Sequence, residues 1–188
     1  MMSEKLSKMK ILHDSILVDD LKNSYLFLDT NVFIGALLSE LPIYEFLKNL
    51  SSHGCSFLSI QSVLFEFTRG GGTIENFHKR AKFIIEDLKT TIYPIEKELG
   101  NLEDLIVVLQ KIKADASYTD FLLTACLYKF PNAFLLTENH KDFPTEILDR
   151  KHLITVDTDK EIRNYAVYQF SLEKYAKAAE NILKEKSF

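Results

Sequence analysis

The stretch YLFLDTNVF, residues 25–33, decides the fold, because it joins an apolar run to an acidic residue and then to further apolar positions. Residues 25–28 show no alternation of polar and apolar side chains, which is typical of a strand buried on both faces of a parallel sheet. Asp29 follows where that strand should end, so its carboxylate is expected to point into a crevice. Aspartate also caps helices well, and capping is the competing interpretation of Asp29.

Strand and helix patterns alternate along the rest of the chain. Apolar runs predict further strands at residues 55–58, 90–93, 133–136 and 153–156, and an edge strand at 165–170. Helical patterns lie between residues 31 and 49 and at 60–69, 74–88, about 97–111 and 117–129. This alternation indicates an α/β protein, a three-layer α/β/α sandwich with a central, mainly parallel sheet. In such sheets ligands bind at the carboxyl ends of the strands.

The chain is predicted to end in an amphipathic helix from Leu172 to Lys186, with Ser171 as its N-cap. Its apolar positions fall on one stripe: Leu172, Tyr175, Ala176, Ala179, Ile182 and Leu183. A stripe of this kind usually marks a contact. We therefore expect the helix to pack on the domain or on a second copy of it, the latter giving a homodimer.

Length and composition predict one globular domain over residues 1–188, with a core at about 24–157, an N-terminal extension and the terminal helix. The net charge of -4 gives no global signature of nucleic-acid binding, although a local basic strip would suffice. Cys55 and Cys126 lack a C-x-x-C partner, which favours reduced thiols. The charged N-terminus lacks the apolar run of a signal peptide, and no run is long enough to span a membrane. These features predict a cytoplasmic protein.

Three further acids are candidates for the crevice that Asp29 enters. Glu66 lies on the flank of a predicted helix, where a solvated surface position is the alternative. Asp120 begins an almost wholly apolar helix, and Ser117-x-x-Asp120 also fits a capping box. Asp142 follows a predicted strand and could cap the next turn. Carboxylates that converge in one crevice repel each other, and a divalent hard cation usually neutralises them.

Three segments resemble the motifs of the PIN-domain nucleases: LDTNVFI (residues 28–34), TDFLLTA (119–125) and LTENHKDF (136–143). They occur in the order that the family has, and the resemblance spans roughly residues 24–157. It implies a PIN-like α/β/α fold that binds Mg²⁺ or Mn²⁺ and cuts phosphodiesters, usually in RNA. The implied activity is that of an endoribonuclease, with RNA favoured over DNA.

The resemblance also implies roles for single residues. Asn31 would orient Asp29 or the substrate, and Thr137 and Asn139 would support the site. Asp115 lies close enough to Asp120 in sequence to compete for the third acidic position. The four acids would serve both as catalytic residues and as metal ligands: Asp29, Glu66, Asp120 and Asp142.

Bound metal would lower the pKa of a water molecule and stabilise the charge that develops on the phosphate. None of the five histidines has the spacing of a metal ligand. Positive charge for the phosphates is expected from Arg69, Lys79 and Arg80, for which a solvated helix face is the alternative. Lys141 adjoins Asp142 and is better placed to contact a phosphate.

Three other functions are compatible with parts of the sequence. The chain exceeds the compact toxins of toxin–antitoxin pairs at both ends, yet such a role, with an inhibitory protein partner, is compatible with the resemblance. A catalytically silent PIN-like interaction module is the non-enzymatic alternative. Aspartyl-phosphate phosphatases also place an aspartate after a strand, but they need a second acid where this chain has Asn31, which cannot transfer a proton.

Overall fold

The computed structural model describes residues 10–12, 16–37, 42–157 and 161–184. The strands of this part of the chain are β1 (Lys10–Leu12), β2 (Tyr25–Leu28), β3 (Ser56–Ile60), β4 (Thr91–Tyr93), β5 (Phe134–Thr137), β6 (Leu148–Asp157) and β7 (Ile162–Phe170). The helices are α1 (Ile16–Leu21), α2 (Thr30–Leu37), α3 (Pro42–Ser52), α4 (Gln61–Arg69), α5 (Ile74–Lys82), α6 (Glu103–Ile112), α7 (Tyr118–Lys129) and α8 (Leu172–Lys184). A π-helical segment, Phe83–Asp87, continues α5, and a 3₁₀-helix, Ile95–Asn101, precedes α6.

The described strands form one sheet in the order β1-β6-β7-β5-β2-β3-β4. Strands β4, β3, β2 and β5 run parallel to one another, and β7, β6 and β1 extend the sheet in antiparallel pairings. Helix α2 packs with α3 and α4, whereas α7 packs with the 3₁₀-helix and α6 packs with α8. The α/β sandwich predicted from the sequence is confirmed.

The carboxyl end of β2 is fixed by its neighbours on both sides. Leu26, Phe27 and Leu28 are fully buried, which explains the unbroken apolar run. The Ser59 hydroxyl on β3 donates to the Leu28 carbonyl at 2.9 Å, and the backbone N–H of Asp29 donates to Leu136 on β5 at 3.3 Å. Asp29 therefore stands at the edge where β2, β3 and β5 end together.

Several predicted elements differ from the structure. Residues 165–170 are not an edge strand, since β7 lies between β5 and β6 and its residues 165–168 are all buried. Residues 153–156 belong to the longer β6. The predicted helix at 74–88 changes from α-helix to π-helix after Lys82. The predicted helix at 97–111 is divided at Leu102 into a 3₁₀-helix and α6. Part of the N-terminal extension is the unpredicted β1, which pairs with β6, and the unpredicted α1.

Helix α8 packs on the domain, which is one of the two predicted arrangements. It contacts α6, and the Tyr175 ring lies 5.2 Å from Tyr128 and 5.5 Å from Phe170 between centroids. The Ser171 side chain accepts from the backbone N–H of Lys174 at 3.4 Å, as expected of an N-cap. The observed apolar stripe is rotated from the predicted one. Leu172, 61% exposed, and Ala176 face away from the domain, whereas Tyr175 and Ala178 pack against the core. Residues 185 and 186 of the predicted helix lie outside the described residues.

Both cysteines are buried, unpaired thiols, in line with the prediction from their spacing. Burial raises the pKa of the Cys55 thiol to about 11, and it also raises the pKa of Cys126. Neither thiol is therefore activated as a nucleophile. Among the described helices, none has the length and apolar character needed to cross a bilayer.

Candidate functional site

Asp29 is almost completely buried, with 4% of its surface exposed. Its Oδ1 accepts from the backbone N–H of Thr30 at 2.6 Å, and its Oδ2 accepts from Asn31 Nδ2 and Thr137 Oγ1, each at 2.7 Å. Burial raises the pKa of Asp29 to about 6; the Thr137 hydrogen bond opposes this shift, and the charge of Asp120 adds to it. The site is thus built around a carboxyl group that is tightly held and poorly solvated.

Asn31 and Thr137 form the frame that holds Asp29. Asn31 Nδ2 also lies 3.3 Å from Thr137 Oγ1, and Asn31 Oδ1 accepts from the backbone N–H of Glu138 at 2.9 Å. The Thr137 hydroxyl accepts from the Asn139 backbone N–H at 3.0 Å. Both ends of the Asn31 amide are therefore hydrogen-bonded, and an amide is too weakly acidic to transfer a proton. This arrangement gives no support to an aspartyl-phosphate phosphatase.

Glu66 lies on an exposed face of α4, yet both of its carboxylate oxygens have partners. Thr30 Oγ1 donates to Oε2 at 2.9 Å, and Thr119 Oγ1 donates to Oε1. Thr30 follows Asp29 in the chain and Thr119 precedes Asp120. The two threonines therefore hold the carboxylate of Glu66 between the start of α2, next to Asp29, and the start of α7, which contains Asp120.

Asp120 combines a structural and an electrostatic role. Its Oδ2 accepts from the backbone N–H of Ser117 at 3.2 Å, and its backbone N–H donates to the Ser117 hydroxyl oxygen at 3.1 Å, which together form a capping box at the start of α7. The Ser117 hydroxyl also donates to Oδ2 at 2.5 Å. Only 6% of Asp120 is exposed. Burial raises its pKa, hydrogen bonds from Ser117 lower it, and the charges of Asp142 and Glu66 raise it further. Capping by Asp120 is confirmed, and it coexists with proximity to the other three acids.

Asp142 completes this acidic cluster, whereas Asp115 stands apart. Asp142 is half-buried in the loop after β5 and accepts a hydrogen bond from Asn139 Nδ2. Asp115 is exposed and pairs with Lys113 at 2.9 Å; the hydrogen bond from Lys113 lowers its pKa. Of the two sequence candidates for the third position, only Asp120 is electrostatically coupled to Asp29.

The predicted basic residues have different environments. Arg80 Nη1 donates to the Phe67 carbonyl at 2.7 Å and its guanidinium lies over the Phe67 ring, so it connects α5 to α4. Arg69, Lys79 and Lys141 are exposed.

Lys113 is a cation near the acids that the sequence did not reveal, because it is distant from Asp142 in the chain. The hydrogen bond to Asp115 is the main cause of its raised pKa, and the charges of Asp142 and Glu146 contribute.

The donor chemistry of the acidic cluster fits a hard divalent cation, since all four side chains offer carboxylate oxygens. Within the described ranges, however, no group of three or more His, Cys, Asp or Glu side chains is arranged to hold a metal ion. Thr30 and Thr119 occupy the oxygens of Glu66, and Asn139 occupies one oxygen of Asp142. Each of these oxygens accepts one hydrogen bond from these partners and keeps a second lone pair that an ion could take.

No protein-family model, curated protein or solved structure matches the chain. The resemblance to PIN-domain nucleases therefore rests on the three sequence motifs alone. The geometry described above belongs to this chain and is independent of that resemblance. Together they provide the basis for a functional proposal.

Proposed function

We propose that this protein is a metal-dependent nuclease, an endoribonuclease that hydrolyses RNA with Mg²⁺ or Mn²⁺ at the acidic cluster. One observation carries the proposal: two nearly buried carboxyl groups, Asp29 and Asp120, are brought together with two further acids. Among the described residues, neither Asp29 nor Asp120 forms an ion pair. Burying like charges without a counter-charge is costly. A divalent cation bound between the acids would offset that free-energy cost.

The four acids differ in how firmly their side chains are held. Asp29, held by Asn31 and Thr137, and Asp120, held by Ser117, would be the fixed ligands of the ion. Glu66 and Asp142 are more exposed and would complete its coordination. A bound divalent ion supplies Lewis acidity and lowers the pKa of a water molecule.

Two of the described cations would meet the phosphate of a substrate: Lys113, which also pairs with Asp115, and Lys141. Lys113 lies close enough to Asp142 for their charges to interact, and Lys141 is exposed and adjoins Asp142 in the chain. Their ammonium groups would offset the repulsion between the phosphate and the acids.

The choice of RNA follows from the resemblance to PIN-domain nucleases, and a cytoplasmic location is proposed from the two unpaired cysteines. The proposal extends to a restraining protein partner, as in toxin–antitoxin pairs.

The experiment that tests the activity is incubation of the protein with panels of RNA and single-stranded DNA. We expect internal cleavage of RNA with Mg²⁺ or Mn²⁺ and none with a chelator. Cleavage that persists in chelator, or no cleavage of any substrate, would contradict the proposal.

A second function, an interaction module without catalysis, is favoured by one specific observation. The hydrogen bonds of both acids can be purely structural: Asp120 belongs to the capping box of α7, and Glu66 links Thr30 to Thr119. A titration with Mn²⁺ separates the two functions. The nuclease should bind Mn²⁺ saturably and lose that binding in Asp29→Asn, whereas a module without a site should take up no Mn²⁺.

A further inference from the structure

A cavity of about 430 Å³ lies directly beside the acidic cluster. It is formed between the end of α6 and the start of α7, and we call it the α6–α7 cavity. Its lining includes Ser117 and Asp142, the first a partner of Asp120 and the second a member of the cluster. A molecule that fills the cavity would therefore lie next to any group bound at the four acids.

The walls of the α6–α7 cavity combine an apolar surface with aromatic rings and a few polar groups. Ile106 and Leu109 supply aliphatic surface from α6. Tyr118 and Phe121 supply two rings from α7, and Tyr118 is 59% exposed. Gln110 and Lys113 also line the cavity. Apolar walls with a small number of polar groups are typical of sites for small organic groups.

We propose that the α6–α7 cavity binds a base of single-stranded nucleic acid whose phosphate lies at the acidic cluster. This inference rests on the proposed function and adds a substrate subsite to it. A base has a flat face that can stack on an aromatic ring whatever its identity. Tyr118 offers such a ring, and the Gln110 amide can both donate to and accept from the edge of a base.

Charge favours a nucleic acid over an apolar peptide as the occupant. Lys113 lines the cavity together with Asp142 and pairs with Asp115 at 2.9 Å, so a cation stands in the wall that the cavity shares with the acidic cluster. A nucleotide strand needs such a cation, because its phosphate would otherwise face carboxylates alone. An apolar side chain of a peptide would make no use of the Lys113 ammonium group.

The absence of tryptophan from the sequence provides a direct test. Tyr118→Trp introduces a single tryptophan at the cavity, and Tyr25→Trp places one at the opposite end of β2, where Tyr25 is similarly exposed at 58%. Each variant is titrated in Mg²⁺ with an oligoadenylate whose linkages resist hydrolysis, because without a cation the four carboxylates would repel its phosphates. We expect the fluorescence of Tyr118→Trp to be quenched by base stacking and that of Tyr25→Trp to be unchanged.

Affinity provides a second readout, measured in Mg²⁺ by the anisotropy of the same hydrolysis-resistant oligoadenylate carrying a fluorescent label. Loss of one stacked base should weaken binding about 5- to 150-fold in Tyr118→Ala. Tyr118→Phe keeps the ring and should bind like the wild type, as should the matched control Tyr25→Ala. An abasic oligomer of equal length should bind more weakly than oligoadenylate to the wild type.

Three results would overturn the inference: binding of oligoadenylate without quenching in Tyr118→Trp, equal binding of the abasic oligomer, or quenching by an apolar peptide alone. The last would identify the cavity as a protein-docking site. Cleavage of RNA by the wild type is scored separately. Cleavage without quenching removes only the cavity inference, whereas quenching without cleavage removes the nuclease and leaves a nucleic-acid-binding site.

Discussion

Opposing effects act on the carboxyl group of Asp29. Burial disfavours its ionised form, and the neighbouring charge of Asp120 acts in the same direction. Hydrogen bonds from Thr137, Thr30 and Asn31 favour the ionised form, but they do not outweigh burial. A bound cation would favour ionisation as well. The stability of the protein should therefore depend on both pH and divalent metal.

The first prediction concerns stability against pH in the absence of metal. The pKa of Asp29 rises from 3.8 to about 6 on folding, so the folded state binds its proton more tightly than the unfolded state. The resulting stabilisation is full below about pH 4 and is lost as the pH rises through 6. It amounts to about 3 kcal/mol. Thermal melts in chelator should show this loss of stability with rising pH in the wild type and not in Asp29→Asn. If stability depends on pH equally in the two proteins, the pKa of Asp29 is not raised on folding.

The second prediction concerns Thr119, which holds Glu66 without belonging to the acidic cluster. Thr119→Val keeps the shape of the side chain and removes the hydroxyl that donates to Glu66. A hydrogen bond to a charged group contributes about 1.5–3 kcal/mol, so Mn²⁺ affinity and RNA cleavage should fall by roughly tenfold or more.

Two controls accompany that variant. Thr119→Ser retains a hydroxyl and should restore Mn²⁺ affinity. Thr68→Val removes a buried hydroxyl that bonds only to backbone carbonyls of the same helix, and it should leave Mn²⁺ affinity unchanged. Wild-type Mn²⁺ affinity in Thr119→Val would show that the hydroxyl does not position Glu66 for the metal.

Sequence identified the acids more readily than the residues that hold them. Asp29 and Asp142 follow strands, and Asp120 begins an apolar helix, so local patterns mark all three. The threonine contacts of Glu66 join positions 36 and 53 residues apart. No local pattern specifies such pairs, because they depend on how α4 and α7 meet across the sheet. The proximity of Lys113 to Asp142 was missed for the same reason.

At the scale of elements, β7 shows what a local pattern cannot determine. A short run rich in aromatic and apolar residues predicts a strand, and that prediction is confirmed at 162–170. Its place in the sheet depends on pairing with both β5 and β6, and this long-range information is absent from the run itself. Helix α8 is similar, since its amphipathic character and Tyr175 on its docking face were predictable, whereas the exposure of Leu172 and Ala176 was not.

The third prediction tests the docking of α8. Tyr175 packs against Tyr128 and Phe170, whereas Leu172 in the same helix is largely exposed. Tyr175→Ala should cost about 2 kcal/mol of packing, which corresponds to roughly 4–8 °C in melting temperature for a chain of this size. Leu172→Ala should change stability by less than about 0.5 kcal/mol. Equal melting temperatures of the two variants would mean that α8 does not dock through Tyr175.

At the scale of the whole molecule, the order of the parallel strands explains why the acids converge. Strand β2 lies between β3 and β5, so the segments that follow these three strands emerge side by side. Asp29 follows β2, Glu66 lies on the helix after β3, and Asp142 lies in the loop after β5. Asp120 joins them from the first turn of α7. The alternation of strands and helices predicts this convergence, but not the antiparallel half of the sheet.

If Asp29 is a ligand of the metal in the proposed nuclease, cleavage should depend on its carboxylate. RNA cleavage with Mn²⁺ is compared between the wild type, Asp29→Asn and Asp87→Asn, with folding checked by thermal melts. Asp87→Asn is the matched control, because Asp87 is exposed at the end of the π-helical segment and does not belong to the acidic cluster. We expect a loss of at least about 100-fold in Asp29→Asn and wild-type cleavage in Asp87→Asn. Cleavage by folded Asp29→Asn within a few-fold of the wild type would contradict that role of Asp29.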